Sequence, residues 1–172
     1  MKTLLTFLFA VVLTFSVFAQ TTANSSATVT ASLIKGLSIS QVGGNLDFGE
    51  IMLTGSAQTP AIAPNNGASF EVIGHPGKNV TITFGTVSLT NDVWVTTNGG
   101  TNGSLQFTPS VTQTGSSSSY TGPSAVTSGN VVPLVSVSGD GNLYVWVGGS
   151  LAIGSSQAQG DYTGTFTLSV AY

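Results

Sequence analysis

His75 is the one imidazole in the sequence, and it sits in the turn-forming run Gly74-His75-Pro76-Gly77. Histidine can relay protons or ligate a metal, but both roles need partners. No nucleophile signature accompanies it, so no Ser–His–Asp arrangement can be assembled around it. Asp47 and Glu50 stand three residues apart. A carboxylate pair is the requirement for glycoside hydrolysis, yet these two read as a solvated loop that follows a strand. Asp140-Gly141-Asn142 has the opening of a calcium loop without its further acidic ligands, and reads as a turn. The absence of Cys excludes disulfides, thiolate metal sites and cysteine nucleophiles. The expectation is therefore no enzyme, no metal and no cofactor. Trp94, Tyr120, Tyr144 and Trp146 could stack on sugars. Alternation along one strand puts Tyr144 and Trp146 together, opposite Leu143, Val145 and Val147, and makes those two aromatics the candidate glycan contacts.

Charge narrows the classes further. Only 5% of the 172 residues are charged, with three Lys or Arg against six Asp or Glu and a formal net charge of −3. Ordinary domains carry about 25% charged residues. Without a basic surface, nucleic-acid binding loses its main source of affinity. The hydrophobic share is 41%, so a folded core is expected rather than disorder. Residues 1–19, MKTLLTFLFAVVLTFSVFA, place Lys2 before an apolar run, with Val17 and Ala19 at the small positions of a cleavage site. This reads as a secretory signal peptide, and cleavage after Ala19 starts the mature chain at Gln20. No later stretch reaches the roughly 20 apolar residues of a membrane span.

The elements that must position any site are strands. Period-two alternation is the dominant pattern, and Gly, Ser, Thr and Asn are scattered too densely for an amphipathic helix. Ala27, Val29, Ala31 and Leu33 alternate with Thr28, Thr30 and Ser32. Further strands are expected at Leu37–Ile39, Phe70–Val72, Val80–Phe84, Val87–Leu89, Val93–Val95, Leu105–Phe107, Val131–Val137, Leu143–Val147 extending to Ile153, and Phe166–Tyr172. Pro133 marks an edge or a bulge. Asp140-Gly141 is a hairpin signal, and residues 109–130 read as a long surface loop. About ten short strands separated by turn residues indicate an all-β fold, a single immunoglobulin-like sandwich. The domain is expected over 35–172, with 20–34 as an N-terminal extension or first strand.

Four motifs, in order, resemble a bacterial family known as domain of unknown function 4402. They are Leu46-Asp47-Phe48-Gly49-Glu50-Ile51, Phe70-Glu71-Val72-Ile73-Gly74, Val147-Gly148-Gly149-Ser150-Leu151, and Gly160-Asp161-Tyr162-Thr163-Gly164-Thr165-Phe166. The last is also similar, more distantly, to the terminal strand of chaperone–usher pilins, including spore-coat-U-like and Mat-type fimbrial subunits. There a Gly precedes a near-terminal aromatic by twelve residues; here Gly160 precedes Tyr172, and Phe166, Leu168 and Val170 fill the alternating apolar positions. This chain departs from that pattern in ending on the aromatic itself.

The pilin resemblance implies a pilin-like sandwich completed by a donor strand, and a structural subunit of an extracellular bacterial filament or pilus, joined by β-strand donation. Its implied partners are copies of itself, a periplasmic chaperone and an outer-membrane usher, and its implied location is the cell surface. In that scheme Ala27, Val29, Ala31 and Leu33 are the donor-strand contacts, and Phe166, Leu168, Val170 and Tyr172 form the terminal strand beside which the donor lies. The same alternation also suits the first strand of the chain's own sandwich. The alternative function is a monomeric secreted carbohydrate-binding or adhesive domain, in which Tyr144 and Trp146 meet the glycan.

Overall fold

The computed structural model describes residues 22–172, so the export signal expected over 1–19 lies outside the described residues. The chain divides into two units, one ending at Leu33 and the other covering Ile34–Tyr172. Residues 22–33 have no regular secondary structure and are exposed throughout. Val29 is 93% and Leu33 87% exposed. The second unit contains eleven strands and one short helix among the described residues.

The second unit is an all-β sandwich of two antiparallel sheets. Its spine is β10, Asp140–Ala152, in which every second residue from Leu143 to Val147 is apolar and fully buried. On one side β10 pairs with β3, Ala68–Gly74, with Val145 opposite Phe70. On the other it pairs with β6, Ser104–Gln113, with Leu151 opposite Phe107. β1, Ser38–Gly43, lies outside β3, and β5, Val87–Thr90, lies outside β6. Shorter strands β2, Ala61–Ile62, β7, Ser124–Val126, and β9, Val135–Val137, complete this sheet. The second sheet is β11–β4–β8, from Ser169–Ala171, Asn79–Thr83 and Asn130–Pro133. Val80 and Ile82 of β4 face Val72, Leu143 and Val145 across the main core, all with no exposed surface.

Gly148 and Gly149 do not end β10, because the strand runs through both. They are required by close approach. A Cβ on Gly148 would strike the carbonyl oxygen of Ile62, and one on Gly149 would strike Thr108 O and the Phe107 ring. Pro133 closes β8, an edge strand of the smaller sheet, as its missing N–H requires.

Four sequence expectations are corrected. Val93 and Val95 lie in α1, Asp92–Asn98, not in a strand. Val93 is 77% exposed, while Thr96, Thr97 and Asn98 bond back to carbonyls four residues earlier. Residues 109–130 are not one loop, because β6 continues through Pro109 to bury Val111. The β9–β10 hairpin turns at Ser138-Gly139, both at positive φ (51° and 90°), with Asp140 paired to Val137. Two successive positive φ values are what a two-residue hairpin of the right twist needs. Finally, the ladder at the chain's end is confined to Ser169–Ala171.

Leu143 sits at the centre of the β3–β10–β4 packing. Leu143→Ala is expected to cost about 2–5 kcal/mol in denaturant unfolding, whereas Val42→Ala, on exposed β1, is expected to change stability by less than about 0.5 kcal/mol.

Candidate functional site

The two ends of β10 carry different features. At its far end, around Leu151, the sandwich is open. Leu105, Phe107, Leu151 and Ile153 form a second core cluster, separate from the main one. Two segments of chain border it, 46–56 and 164–167. Neither makes a backbone–backbone hydrogen bond among the described residues. Phe48 from one and Phe166 from the other stand edge-on to Phe107, with ring centroids 6.0 and 6.1 Å away. Between and beside them lie two adjoining hollows, of about 560 and 290 Å³, which share Leu46, Phe48 and Leu89 in their walls. The smaller is bounded by Leu46 and Phe48 on one side and by Gly164, Thr165 and Phe166 on the other. An extended segment laid there would meet N–H and C=O groups beside an apolar floor.

The order of the terminal residues explains the gap. Thr163 exchanges both backbone bonds with Thr90 of β5, each 3.0 Å. Ser169 then begins the ladder with β4 in the other sheet. Residues 164–167 cross between the sheets and pair with neither.

At the near end of β10, the chain is fixed at Lys35. Its N–H donates to His75 Nδ1 at 3.3 Å. Its carbonyl accepts the Tyr172 hydroxyl proton at 2.7 Å, and its Nζ pairs with Asp140. Tyr172 Oη in turn accepts the His75 N–H at 2.7 Å. All polar groups of Lys35 are thus engaged, from the turn after β3, from Tyr172 and from the start of β10. Leu37, two residues on, packs against the main core.

The sequence-derived candidates fall as follows. Ala27, Val29, Ala31 and Leu33 are exposed and outside any strand. Phe166, Leu168 and Val170 pack into the core of their own unit, and Tyr172 belongs to the Lys35 clasp. His75 works there through its backbone N–H and Nδ1. Asp47 Oδ1 accepts the Gly49 N–H at 2.9 Å, a local turn, and with Glu50 it lines the larger hollow. Asp140 is the ion-pair partner of Lys35. Tyr144 and Trp146 share the outer face of β10, as alternation requires. Trp146 Nε1 donates to Thr114 Oγ1 at 2.9 Å, and Tyr120 packs edge-on against the indole at 5.4 Å. Tyr144 donates to Glu71 Oε1 at 2.7 Å. Both polar handles are spent inside the molecule, and Tyr120 occupies one edge of the indole. The sequence reading missed the Lys35 clasp. Its only trace there is Lys35-Gly36 at the end of the alternating segment.

A family profile described as Domain of unknown function (DUF4402) matches residues 37–172. The chain belongs to this family. The match begins just after the clasp residue Lys35 and covers the whole sandwich, including both groove segments. Comparison with curated proteins gives no match. The family's description carries no activity, so the DUF4402 fold fixes the architecture and leaves function to the site.

Two outcomes follow. The hydrogen bond to Glu71, with burial and the adjacent negative charge, holds the Tyr144 hydroxyl above its ordinary value. A folded-state value above the unfolded one stabilises fully below about pH 10. That contribution is lost as pH rises through the folded value. Denaturant titrations from pH 9 to 12 should therefore show a decline in stability that Tyr144→Phe makes shallower. Separately, Tyr172→Phe keeps the ring and deletes both clasp bonds at its hydroxyl. A spin label on Ser32→Cys, in this cysteine-free chain, should become more mobile in that variant while the melting temperature falls only slightly.

Proposed function

We propose that the protein is a non-enzymatic structural subunit of an extracellular filament, built by strand donation between copies. The donor is the exposed segment 27–33 of one molecule, and the acceptor is the groove between segments 46–56 and 164–167 of the next. The observation that carries this reading is a groove with a Leu–Phe floor, flanked on both sides by backbone that makes no backbone–backbone hydrogen bond among the described residues. Unpaired edges beside apolar surface are templates for an incoming strand.

The donor's pattern suits the acceptor's. Ala27, Val29, Ala31 and Leu33 lie on one face of an extended strand, and Thr28, Thr30 and Ser32 on the other. The apolar face meets the Leu–Phe floor and the hydroxyl face stays wet. Each backbone bond gained contributes about 0.5–1.5 kcal/mol net. Burying Val29 and Leu33, now almost fully exposed, adds about 1.5–3 kcal/mol each.

The acceptor in this reading is a second copy. A strand passed from one copy to the next makes a head-to-tail contact that need not close. Such contacts generate filaments. The terminal Gly160…Tyr172 pattern, with its pilin-like spacing, supports the same class of assembly. A secreted location agrees with the export-type residues 1–19.

The test separates arm from groove. A variant lacking residues 20–33 should stay folded and form no filaments in electron micrographs. Adding a synthetic peptide of residues 22–34 should raise its melting temperature in a concentration-dependent way, as ligand binding to the folded state requires. A folded variant that still makes unchanged filaments, or one indifferent to the peptide, rejects the assignment.

A further inference from the structure

The turn after β3 holds its imidazole against the chain just before β1. Lys35 N–H donates to His75 Nδ1 at 3.3 Å. A ring nitrogen accepts a hydrogen bond only while it carries no proton. This bond therefore belongs to the neutral imidazole, with its one proton on Nε2. The backbone behind the ring is fixed. His75 N–H donates to Tyr172 Oη at 2.7 Å, and His75 O accepts the Lys78 N–H at 3.2 Å. A Cβ on Gly141 would lie 2.6 Å from His75 O, and one on Gly74 would lie 2.6 Å from Tyr172 Oη, so both glycines are needed for the turn to pack this closely. The Lys35 side is held less firmly. Residues 34–37 belong to no strand, and Ile34 is 50% exposed.

We propose that His75 is a pH-sensitive latch for the clasp: protonation of its ring releases the Lys35 N–H and loosens the chain that leads into β1. On the strand-donation reading that chain is the root of the arm, and the latch regulates its release. The latch itself lies within one molecule and needs no filament.

Imidazole is the side chain whose charge ordinarily changes between about pH 5 and pH 8, and this chain has one histidine. When the ring takes a second proton, both nitrogens become donors. Nδ1–H then faces Lys35 N–H, and an attraction becomes a repulsion. Rotating the ring away relieves the clash but also surrenders the bond. The charged and titratable groups around the ring belong to Lys35 and Asp140, which pair with each other, to Lys78 on the same turn, and to Tyr172 with its end of the sequence. Carboxylate, ammonium and phenol groups ordinarily titrate outside this window, so the imidazole is the group that responds within it. The bond from the Tyr172 hydroxyl to Lys35 O joins neutral groups and does not depend on the ring. The latch therefore loosens one segment without unfolding the sandwich.

Gly36 is the reporting position, because a Cβ there meets nothing within 4 Å and the chain has no cysteine of its own. A spin label on Gly36→Cys, in the mature chain held dilute and monomeric, is read at about pH 8 and at about pH 5. The label should be several-fold more mobile at the lower pH. His75→Asn supplies a side-chain oxygen that accepts at either pH, and His75→Phe supplies no acceptor, so in both variants the mobility should be independent of pH. Asp140→Asn should keep the response, which separates the imidazole from the ion pair. Circular dichroism melts at both pH values confirm that each variant is folded. A parent label that is indifferent to pH, or less mobile in acid, overturns the proposal. So does a response that survives in the two His75 variants or vanishes in Asp140→Asn. None of these results bears on strand donation, which falls separately if the arm peptide fails to bind the arm-deleted unit.

Discussion

Backbone polar groups beside an apolar surface need partners, and among the described residues two segments of this sandwich find none in the backbone of any strand. Segments 46–56 and 164–167 flank the Phe48–Phe107–Phe166 cluster with no backbone ladder of their own. The cause is topological. The terminal segment bonds to β5 at Thr163 and to β4 from Ser169, so the crossing between sheets cannot belong to either. On the proposed reading, an extended segment donated by another copy is the partner that these borders lack. The rest of the functional account follows from that deficiency.

β10 runs from Asp140, the ion-pair partner of Lys35, past Val145, which pairs with Phe70 on the wall of the smaller hollow, to Leu151 in the second core cluster. Its rigidity comes from the fully buried Leu143, Val145 and Val147 and from neighbours on both edges. The glycines Gly148 and Gly149 let β2 and Phe107 approach it closely, so the spine is packed tightly just where the groove begins. Without disulfides, this packing and the hydrogen-bond ladders carry the stability.

Much of this fold is legible in the sequence. Period-two alternation located β3, β4, β5 and β10, and the residues it placed inward are buried in β10 and at Val72, Val80 and Ile82, but only half-buried at Phe70, Phe84, Val87 and Leu89. It failed where local polar chemistry overrode alternation. Asn91, fully buried, bonds to Thr101 O, Gln159 O and Gly103 N, and that anchor lets Asp92–Asn98 wind into a helix despite its alternating valines. Residues 109–130 read as a loop because the Ser116–Ser119 run leaves few apolar positions, yet β6 extends to Gln113 with Val111 buried. The site was legible only in part. The apolar face of 27–33 shows in the sequence, whereas the clasp joins Lys35, His75, Asp140 and Tyr172 across distant positions. No spacing rule brings such residues together. The crossing at 164–167 was equally hidden, since Phe166, Leu168 and Val170 alternate like any strand. Only the pairing shows that its backbone is unmatched.

The account stands on the arm of one molecule lying in the groove of another. The most direct measurement is a spin–spin distance in filaments grown from two singly labelled populations, Thr30→Cys and Thr165→Cys, mixed before assembly. A short distance between the labels in the mixed filaments, absent from a doubly labelled chain held dilute and monomeric, is the predicted result. The same short distance within the dilute monomer, or no short distance in the mixed filaments, would contradict it.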